Sequence, residues 1–486
     1  MRLPEEQKKD ALQPQDRAAQ DLPAALRGWL DDATGQMRWK RARPVAAREL
    51  ADHLTDQYEA FLDEGMDEDE AAQATAREMG DAVETGTLLD RAWRPRPDWV
   101  MLGIVLAVAA VGLGLHALWL GLPSYSGPIM PFDYVKVLGL GAGFLLAGYF
   151  LDYTCLGRNF GDLCKLWIAV NAIAILIWVV TVGQRIRPEH TLWLFPLVFV
   201  AIIYNQRGKG TTGLLVCARK FLLLYLPLLV YNGLMLLFNY LYIVYRPLEG
   251  DMLVITLVCT ALLFGAVRRG WFGAPRYKLL PRVLLVPAAG AACTGISFLL
   301  FQLMRGRIAS VWADPSLAVN PITEIFGHTY GQETVSMIRG VLFPKANEAT
   351  GLMFADADYA DQFLLICVKS RWGWLGFALL IAALTVLLLF GFRLAVRQSG
   401  LLAMLVCHAV MLTLTVQVVL YVIQNLGIPL MEAPGLPLLS WGRDGVFLCQ
   451  TMFLLGLLLS AQRSGELESG PAPYPAAGQA ETMDRE

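Results

Sequence analysis

Ten apolar segments follow one another after Pro97, and they constrain the fold more than any other feature of the chain. A helix needs roughly 20 residues to cross the hydrocarbon core of a bilayer. Backbone polar groups in that core must be satisfied within the segment, which favours helices. The composition agrees, since 56% of the residues are hydrophobic and only 17% are charged. We therefore predict an all-α polytopic membrane bundle of about ten transmembrane helices. The segments are about 100–122, 137–151, 166–183, 192–204, 221–245, 252–267, 283–304, 372–392, 400–423 and 445–462.

The loops between these segments carry Lys and Arg unevenly, and this asymmetry predicts their orientation. If the N-terminal region lies inside, the inner loops hold thirteen basic residues and the short outer loops hold five. Cytoplasmic loops carry the excess of Lys and Arg in membrane proteins. Both termini are therefore expected in the cytoplasm. The same orientation places the long loop 305–371 on the outer face.

Residues 1–96 are polar, and their second half predicts a small soluble helical domain. Amphipathic segments follow one another over 40–96, and Asp67 and Asp81 stand at N-cap positions. Gly65 and Gly80 are the expected helix stops.

We expect residues 40–92 to fold alone. Residues 1–39 before them are predicted to be flexible, and residues 464–486, at the other end of the chain, are predicted to be a disordered tail. The stretch ELADHLTDQYEAFLDEGMDEDEAAQATAREMGD, with RPRPDW at 94–99, resembles the permease prefix domain found before many bacterial membrane proteins. That resemblance implies a cytoplasmic interaction or regulatory module.

The outer loop 305–371 is far longer than a connection requires, and such loops are usually functional or disordered. Its last part, DADYADQF, places Asp356, Asp358 and Asp361 just before the eighth apolar segment. A carboxylate can serve as a general base, yet an acidic run is also typical of solvated surface. The residues alone leave both interpretations open.

A second irregular stretch, GLPLLSWGRDG at 435–445, directly precedes the last apolar segment. Non-helical backbone at membrane depth is tolerated only where protein or a watery cavity covers it. Together with the flanking NLGIPLMEAP and VFLCQTMFLLGLLLS, this stretch looks like the C-terminal signature of the SEDS family, the RodA, FtsW and SpoVE cell-shape, division and sporulation proteins. The matching residues are Asn425, Gly427, Gly435, Pro437, Leu438, Ser440 and Gly442.

Other stretches resemble the same family. RIASVWADPSLAVNP and YGQETVSMIRGVLFP are similar to parts of its long outer loop, and RWGWLGFALLIAALTVLLLFGFRLA follows its eighth span. The resemblance covers most of residues 100–463. It implies a protein of the bacterial plasma membrane that acts in peptidoglycan biosynthesis, as a glycosyltransferase using an undecaprenyl-linked precursor. A class B penicillin-binding transpeptidase is the implied partner, and a divalent cation, Mg²⁺ or Mn²⁺, is the implied cofactor.

The resemblance also supplies candidate site residues. Counting back without gaps from the matched Gly373 places the family's catalytic aspartate on Gln362, so Asp361 is the nearest candidate base and Asp358 the reserve. The implied substrate-binding residues are Arg185, Arg187, Ser440, Trp441 and Arg443. Arg185 and Arg187 can equally anchor to lipid headgroups, and an Arg443–Asp444 pair can equally be structural.

Two other functions remain open at this point. The chain can be a SEDS-like scaffold that binds wall-synthesis partners or the lipid precursor without catalysis, or a transporter or flippase. The spans show no paired broken helices, which argues against transport. A net charge of −2 argues against nucleic acid as a partner, and the eight cysteines show no metal-binding spacing.

Overall fold

The computed structural model describes residues 22–40, 42–94, 97–120, 131–158, 160–180, 188–242, 249–296, 342, 363–398, 400–427, 435–441 and 445–464. Every regular element in these ranges is helical, which confirms the all-α prediction. The chain divides into two units, one formed mainly by residues up to Pro97 and the other mainly by Asp98–Gln462.

The N-terminal unit contains four helices within its described residues. They are α1 (Ala24–Gly35), α2 (Arg43–Asp63), α3 (Glu68–Glu78) and α4 (Ala82–Trp93). The predicted caps are confirmed, because the Asp67 and Asp81 carboxylates accept the backbone N–H groups of Glu70 and Glu84 at 2.7 and 2.8 Å. Gly65 and Gly80, at φ 93° and 78°, end α2 and α3 as expected.

Helix α1 corrects the expectation that residues 1–39 form a flexible segment. Leu26 and Ala33 on this helix are fully buried against the other helices of the unit. The Trp29 indole N–H donates to the carbonyl of Gly80 at 2.8 Å. Without α1, the apolar faces of the three helices predicted within 40–96 would lack a partner. The domain therefore includes the chain from Leu22 onward. Residues 1–21 of the expected flexible segment lie outside the described part of the chain.

The second unit holds the apolar helices. They are α5 (Trp99–Leu120), α6 (Pro131–Phe150), the short α7 (Cys155–Arg158), α8 (Phe160–Val180), a 3-10 turn (Pro188–Leu194) running into α9 (Phe195–Asn205), α10 (Gly210–Tyr242), α11 (Glu249–Arg268), α12 (Arg276–Val283), α13 (Leu364–Val396), α14 (Leu401–Asn425) and α15 (Val446–Ser464). Helix α12 begins a span that continues to Ile296.

Seven of these helices are long and apolar enough to cross a membrane, and three shorter apolar helices accompany them within the described residues. The seven long helices and the three shorter ones together match the ten apolar segments expected from the sequence. The chain is therefore a multi-pass membrane protein, while the side on which each terminus lies stays a prediction.

Two features organise the bundle. Helix α9 is buried at every position from Phe195 to Ile203 and packs against α8, α11 and α14, as expected for a helix that is apolar all round. Helices α6 and α15 approach closely at two glycines. A Cβ on Gly148 would lie 2.3 Å from the Phe453 carbonyl oxygen, and one on Gly456 would lie 2.2 Å from that of Leu145. Small residues permit such close approach of membrane helices.

Candidate functional site

The stretch Gly435–Trp441 folds into a tight buried loop before α15. The Leu436 N–H donates to the Ser440 hydroxyl oxygen at 3.0 Å, and the Ser440 N–H donates back to the Leu436 carbonyl at 2.9 Å. Pro437 fits the turn between them. Leu438 adopts φ 65°, a left-handed conformation that costs a non-glycine residue about 1–2 kcal/mol. Full burial of the leucine side chains in this loop offsets that cost.

The loop rests on α5 at a glycine. A Cβ on Gly112 would lie 2.6 Å from the Leu438 carbonyl oxygen, so only glycine admits the loop at this distance. One turn further, the imidazole of His116 stacks on the indole of Trp441, with ring centroids 4.3 Å apart. His116 Nδ1 also lies 2.8 Å from the Gly112 carbonyl oxygen. The histidine therefore faces the protein, as is usual for an ionisable residue inside a span.

The chain that follows the long segment 305–362 enters the bundle as a buried helical turn. Residues 363–369 at the start of α13 are all buried. The Leu364 N–H donates to the Tyr421 hydroxyl at 2.8 Å, and the Ile366 N–H donates to the Asn425 side-chain oxygen at 3.3 Å. The Asn425 amide in turn donates to the Tyr421 carbonyl at 3.0 Å. Side chains of α14 thus satisfy the first N–H groups of α13, which have no partner within their own helix.

Helix α13 then breaks at Gly373, where φ is 67° and ψ is −168°. Lys369 lies just before this break, is 9% exposed, and places its ammonium 5.5 Å from the centre of the Trp374 ring. A cation over an aromatic face is attracted by the ring quadrupole. Sequence reasoning did not select Lys369, although an ionisable residue within an apolar segment is a recognised functional signal.

An apolar groove of about 410 Å³ lies between α5 and α13. Leu115 lines one wall, and Val368, Trp372 and Leu375 line the other. Leu115 is next to His116, and Val368 is next to Lys369. The groove therefore lies between α5, which contacts the Gly435–Trp441 loop, and α13, whose first turn Tyr421 and Asn425 hold.

The structure describes two of the predicted site residues. Ser440 is 1% exposed and its hydroxyl accepts a bond within its own loop, and Trp441 is 7% exposed and stacks on His116. Both build the loop, and a contact of either with substrate stays a prediction. The other candidates lie outside the described residues: Asp358, Asp361, Arg185, Arg187 and Arg443.

Two of these candidates lie close in sequence to described elements. Asp361 precedes Phe363 by two residues, immediately before the turn held by Tyr421 and Asn425. Arg187 immediately precedes the 3-10 turn, where the Thr191 hydroxyl donates to the Asn171 side-chain oxygen at 2.7 Å. Sequence reasoning matched Asn425 but missed Tyr421, although a spacing of four residues places both on one face of α14.

Within the described residues, no group of three or more His, Cys, Asp or Glu side chains is arranged to hold a metal ion. The cation therefore stays an expectation.

Comparison with known proteins gives a likeness in solved structures alone. No protein-family model matches the chain, and no curated protein matches it. A chain of a peptidoglycan synthase complex, in which polymerisation and crosslinking are coordinated, is 20% identical, with a TM-score of 0.48 over 77% of this chain and 99% of that one. The rod-shape-determining protein RodA of Thermus thermophilus is 18% identical, with a TM-score of 0.41 over 76% of this chain and 97% of RodA. An Asp-to-Ala mutant of that RodA is 19% identical, with a TM-score of 0.42 over 76% of this chain and 98% of the mutant. The chain is thus similar to these proteins over about three quarters of its length.

Proposed function

We propose that this chain is a SEDS-like membrane protein that acts in peptidoglycan synthesis, and that it transfers glycan units from an undecaprenyl-linked precursor. The observation that carries the proposal is the docking of the first turn of α13 by Tyr421 and Asn425. It holds the chain at Leu364 and Ile366, a few residues after Asp361 in the sequence, and it uses Asn425, a residue of the motif that resembles the family.

The proposed chemistry requires a base at this position. A carboxylate takes the proton of the acceptor sugar 4-hydroxyl, and the resulting oxygen attacks the anomeric carbon of the donor. The bond from that carbon to the pyrophosphate oxygen breaks, and undecaprenyl pyrophosphate leaves with the electron pair. The carboxamide of Gln362 has no basic group for this step at neutral pH, whereas an aspartate carboxylate can accept a proton. Asp361 is the proposed base, and Asp358 is its reserve.

Cations would stabilise the departing pyrophosphate, since charge that develops in a transition state is stabilised by preorganised groups of opposite sign. Arg185, Arg187 and Arg443 are the proposed contributors. The apolar groove between Leu115 and Val368 has the chemistry to accept part of a polyprenyl chain. The N-terminal unit is the proposed cytoplasmic regulatory module.

A non-catalytic scaffold is the second candidate function. It is favoured by the alignment of the family's catalytic aspartate with Gln362. Such a protein would bind the precursor or a wall-synthesis partner through the same loops without transferring sugars.

The test is polymerisation of lipid-linked disaccharide-pentapeptide by the purified full-length protein together with a cognate class B transpeptidase. Asp361→Asn preserves the side-chain shape and removes the base, so we expect a loss of about 10²–10⁴-fold in rate. Asp356→Asn is the matched control and should have a mild effect. A wild type that makes no glycan but retains the precursor would reject catalysis in favour of the scaffold. An active wild type with an equally active Asp361→Asn variant would reject the site.

A further inference from the structure

Two basic loops are joined side by side at one end of the membrane unit. The Gly208 N–H donates to the Trp271 carbonyl at 2.8 Å, and the Gly210 N–H donates to the Phe272 carbonyl at 2.7 Å. Gly208 and Gly270 adopt φ 72° and 76°, which glycine accepts without strain. These bonds hold the loop after α9 and the loop after α11 in a fixed relation.

The joined segments, 207–209 and 268–282, form what we call the basic platform. They contain seven cationic side chains and no carboxylate. Among the described residues, no ion pair joins any of the seven to an acidic group. All seven are at least partly exposed. They are Arg207, Lys209, Arg268, Arg269, Arg276, Lys278 and Arg282.

Acidic residues of the neighbouring loop are already engaged with other groups. The Asn205 amide, beside the platform, donates to the Gly157 carbonyl at 3.0 Å and so brings the 151–158 loop close. In that loop the Asp152 carboxylate accepts the Thr154 hydroxyl at 2.8 Å. Asp162, just beyond it, pairs with Lys165 at 3.0 Å. Fixed like charges repel one another, so an anion bound among these cations would relieve their mutual repulsion.

Helix α12 gives the platform the character of a membrane interface. Leu279 and Val283 are buried against the protein, while Tyr277, Leu280 and Leu284 are exposed beside Arg276, Lys278 and Arg282. The Lys278 ammonium lies 5.5 Å from the centre of the Tyr277 ring. Arg276 also begins the span that runs to Ile296. Exposed apolar and cationic groups that alternate at the start of a span belong at the level of lipid headgroups.

We propose that the basic platform is a binding site for anionic phospholipid headgroups. The phosphates would lie against the cations of the two joined loops, and the acyl chains would follow the exposed apolar residues of α12. Clusters of four to eight basic residues beside a span attract anionic lipids, and each cation contributes about fivefold to binding. The site lies on different helices from the proposed glycosyl-transfer site and does not depend on that function.

The test uses native mass spectrometry of the purified full-length protein, titrated with phosphatidylglycerol or with phosphatidylcholine of the same acyl chains. We expect wild type to bind phosphatidylglycerol at least about tenfold more tightly. The variant Arg276→Gln/Lys278→Gln/Arg282→Gln should lose most of this preference. Its matched control, Arg27→Gln/Arg77→Gln/Arg91→Gln, removes the same charge from exposed positions of the N-terminal helices and should retain it.

A second variant, Lys209→Gln/Arg269→Gln, removes charge only from the loops, so it keeps the proposal testable if the α12 variant fails to fold. It should weaken phosphatidylglycerol binding as well. Equal binding of the two lipids by wild type, or full preference in both platform variants, would overturn the proposal. So would displacement of the lipid by millimolar glycerol 3-phosphate, which would assign the platform to a soluble anion. Tighter binding of an acidic peptide or an oligonucleotide would assign it to a different partner.

Discussion

The imidazole of His116 lies flat on the indole of Trp441, with ring planes only 10° from parallel. This contact joins the first apolar helix to the loop that precedes the last one. It lies next to the glycine contact between Gly112 and Leu438. The loop is therefore built into the bundle at two adjacent points of α5.

Removing the Trp441 ring should release this loop. Trp441→Ala is expected to lower the free energy of unfolding by about 3–5 kcal/mol, because a large buried aromatic side chain is replaced by a cavity. Trp441→Phe, which keeps an aromatic ring against His116, should cost clearly less. Thermal unfolding in detergent measures both. Equal midpoints for the two variants would show that the stacked ring does not hold the loop.

The contact between α6 and α15 should tolerate no side chain at Gly148. Gly148→Val places methyl groups against the Phe453 carbonyl, and overpacking typically costs about 1–3 kcal/mol. Gly143 lies on the same helix with open space around it, so Gly143→Val imposes the same β-branched residue without the clash. Comparison of thermal midpoints in detergent tests the contact. A fall as large in the control would assign the effect to helix propensity.

The Tyr421 hydroxyl should stabilise the first turn of α13. Tyr421→Phe removes the acceptor of the buried Leu364 N–H, a loss of about 1–3 kcal/mol. Hydrogen exchange in residues 364–369 should accelerate accordingly, while Tyr277→Phe, at an exposed tyrosine, should leave it unchanged. If the proposed function is correct, glycan synthesis should fall in the Tyr421 variant alone. Unchanged exchange would mean that the hydroxyl does not hold this turn.

The N-terminal unit should fold alone only if α1 is included. A fragment of residues 22–94 should show a cooperative helical transition by circular dichroism. A fragment of 40–92 should lose most of that helicity, because Leu26, Trp29 and Ala33 are missing from its core. This outcome differs from the expectation based on sequence alone. Equally sharp transitions for both fragments would contradict the role of α1.

Cys155 offers a test of orientation. It is exposed, whereas the other seven cysteines are buried. Partial burial and the nearby Asp152 raise the pKa of its thiol, so reaction with a maleimide should be slow at pH 7 and accelerate as the pH rises toward 9, since the thiolate reacts. In intact cells a membrane-impermeant maleimide should not label wild type. Labelling should appear after permeabilisation, and Ala346→Cys should label without it. The reverse pattern would invert the predicted topology.

The sequence by itself determined the local structure of this protein. The apolar segments predicted the helices of the membrane unit, and Asp67, Asp81, Gly65 and Gly80 predicted the helix ends of the N-terminal unit. Segment length, caps and turn residues act within a few positions of the chain, so they are readable without knowledge of the fold.

Only the tertiary structure decided which helices meet. Helices that are apolar all round carry no periodic signal of the face turned inward, so the pairing of Gly148 with α15 could not be predicted. Tyr421 capping Leu364 and His116 stacking on Trp441 likewise join residues far apart in sequence. Ser440 shows the same limit, since its motif did not reveal that its hydroxyl accepts a hydrogen bond within its own loop. Whether a polar side chain faces a ligand or its own backbone depends on the packing around it, which the local sequence does not specify.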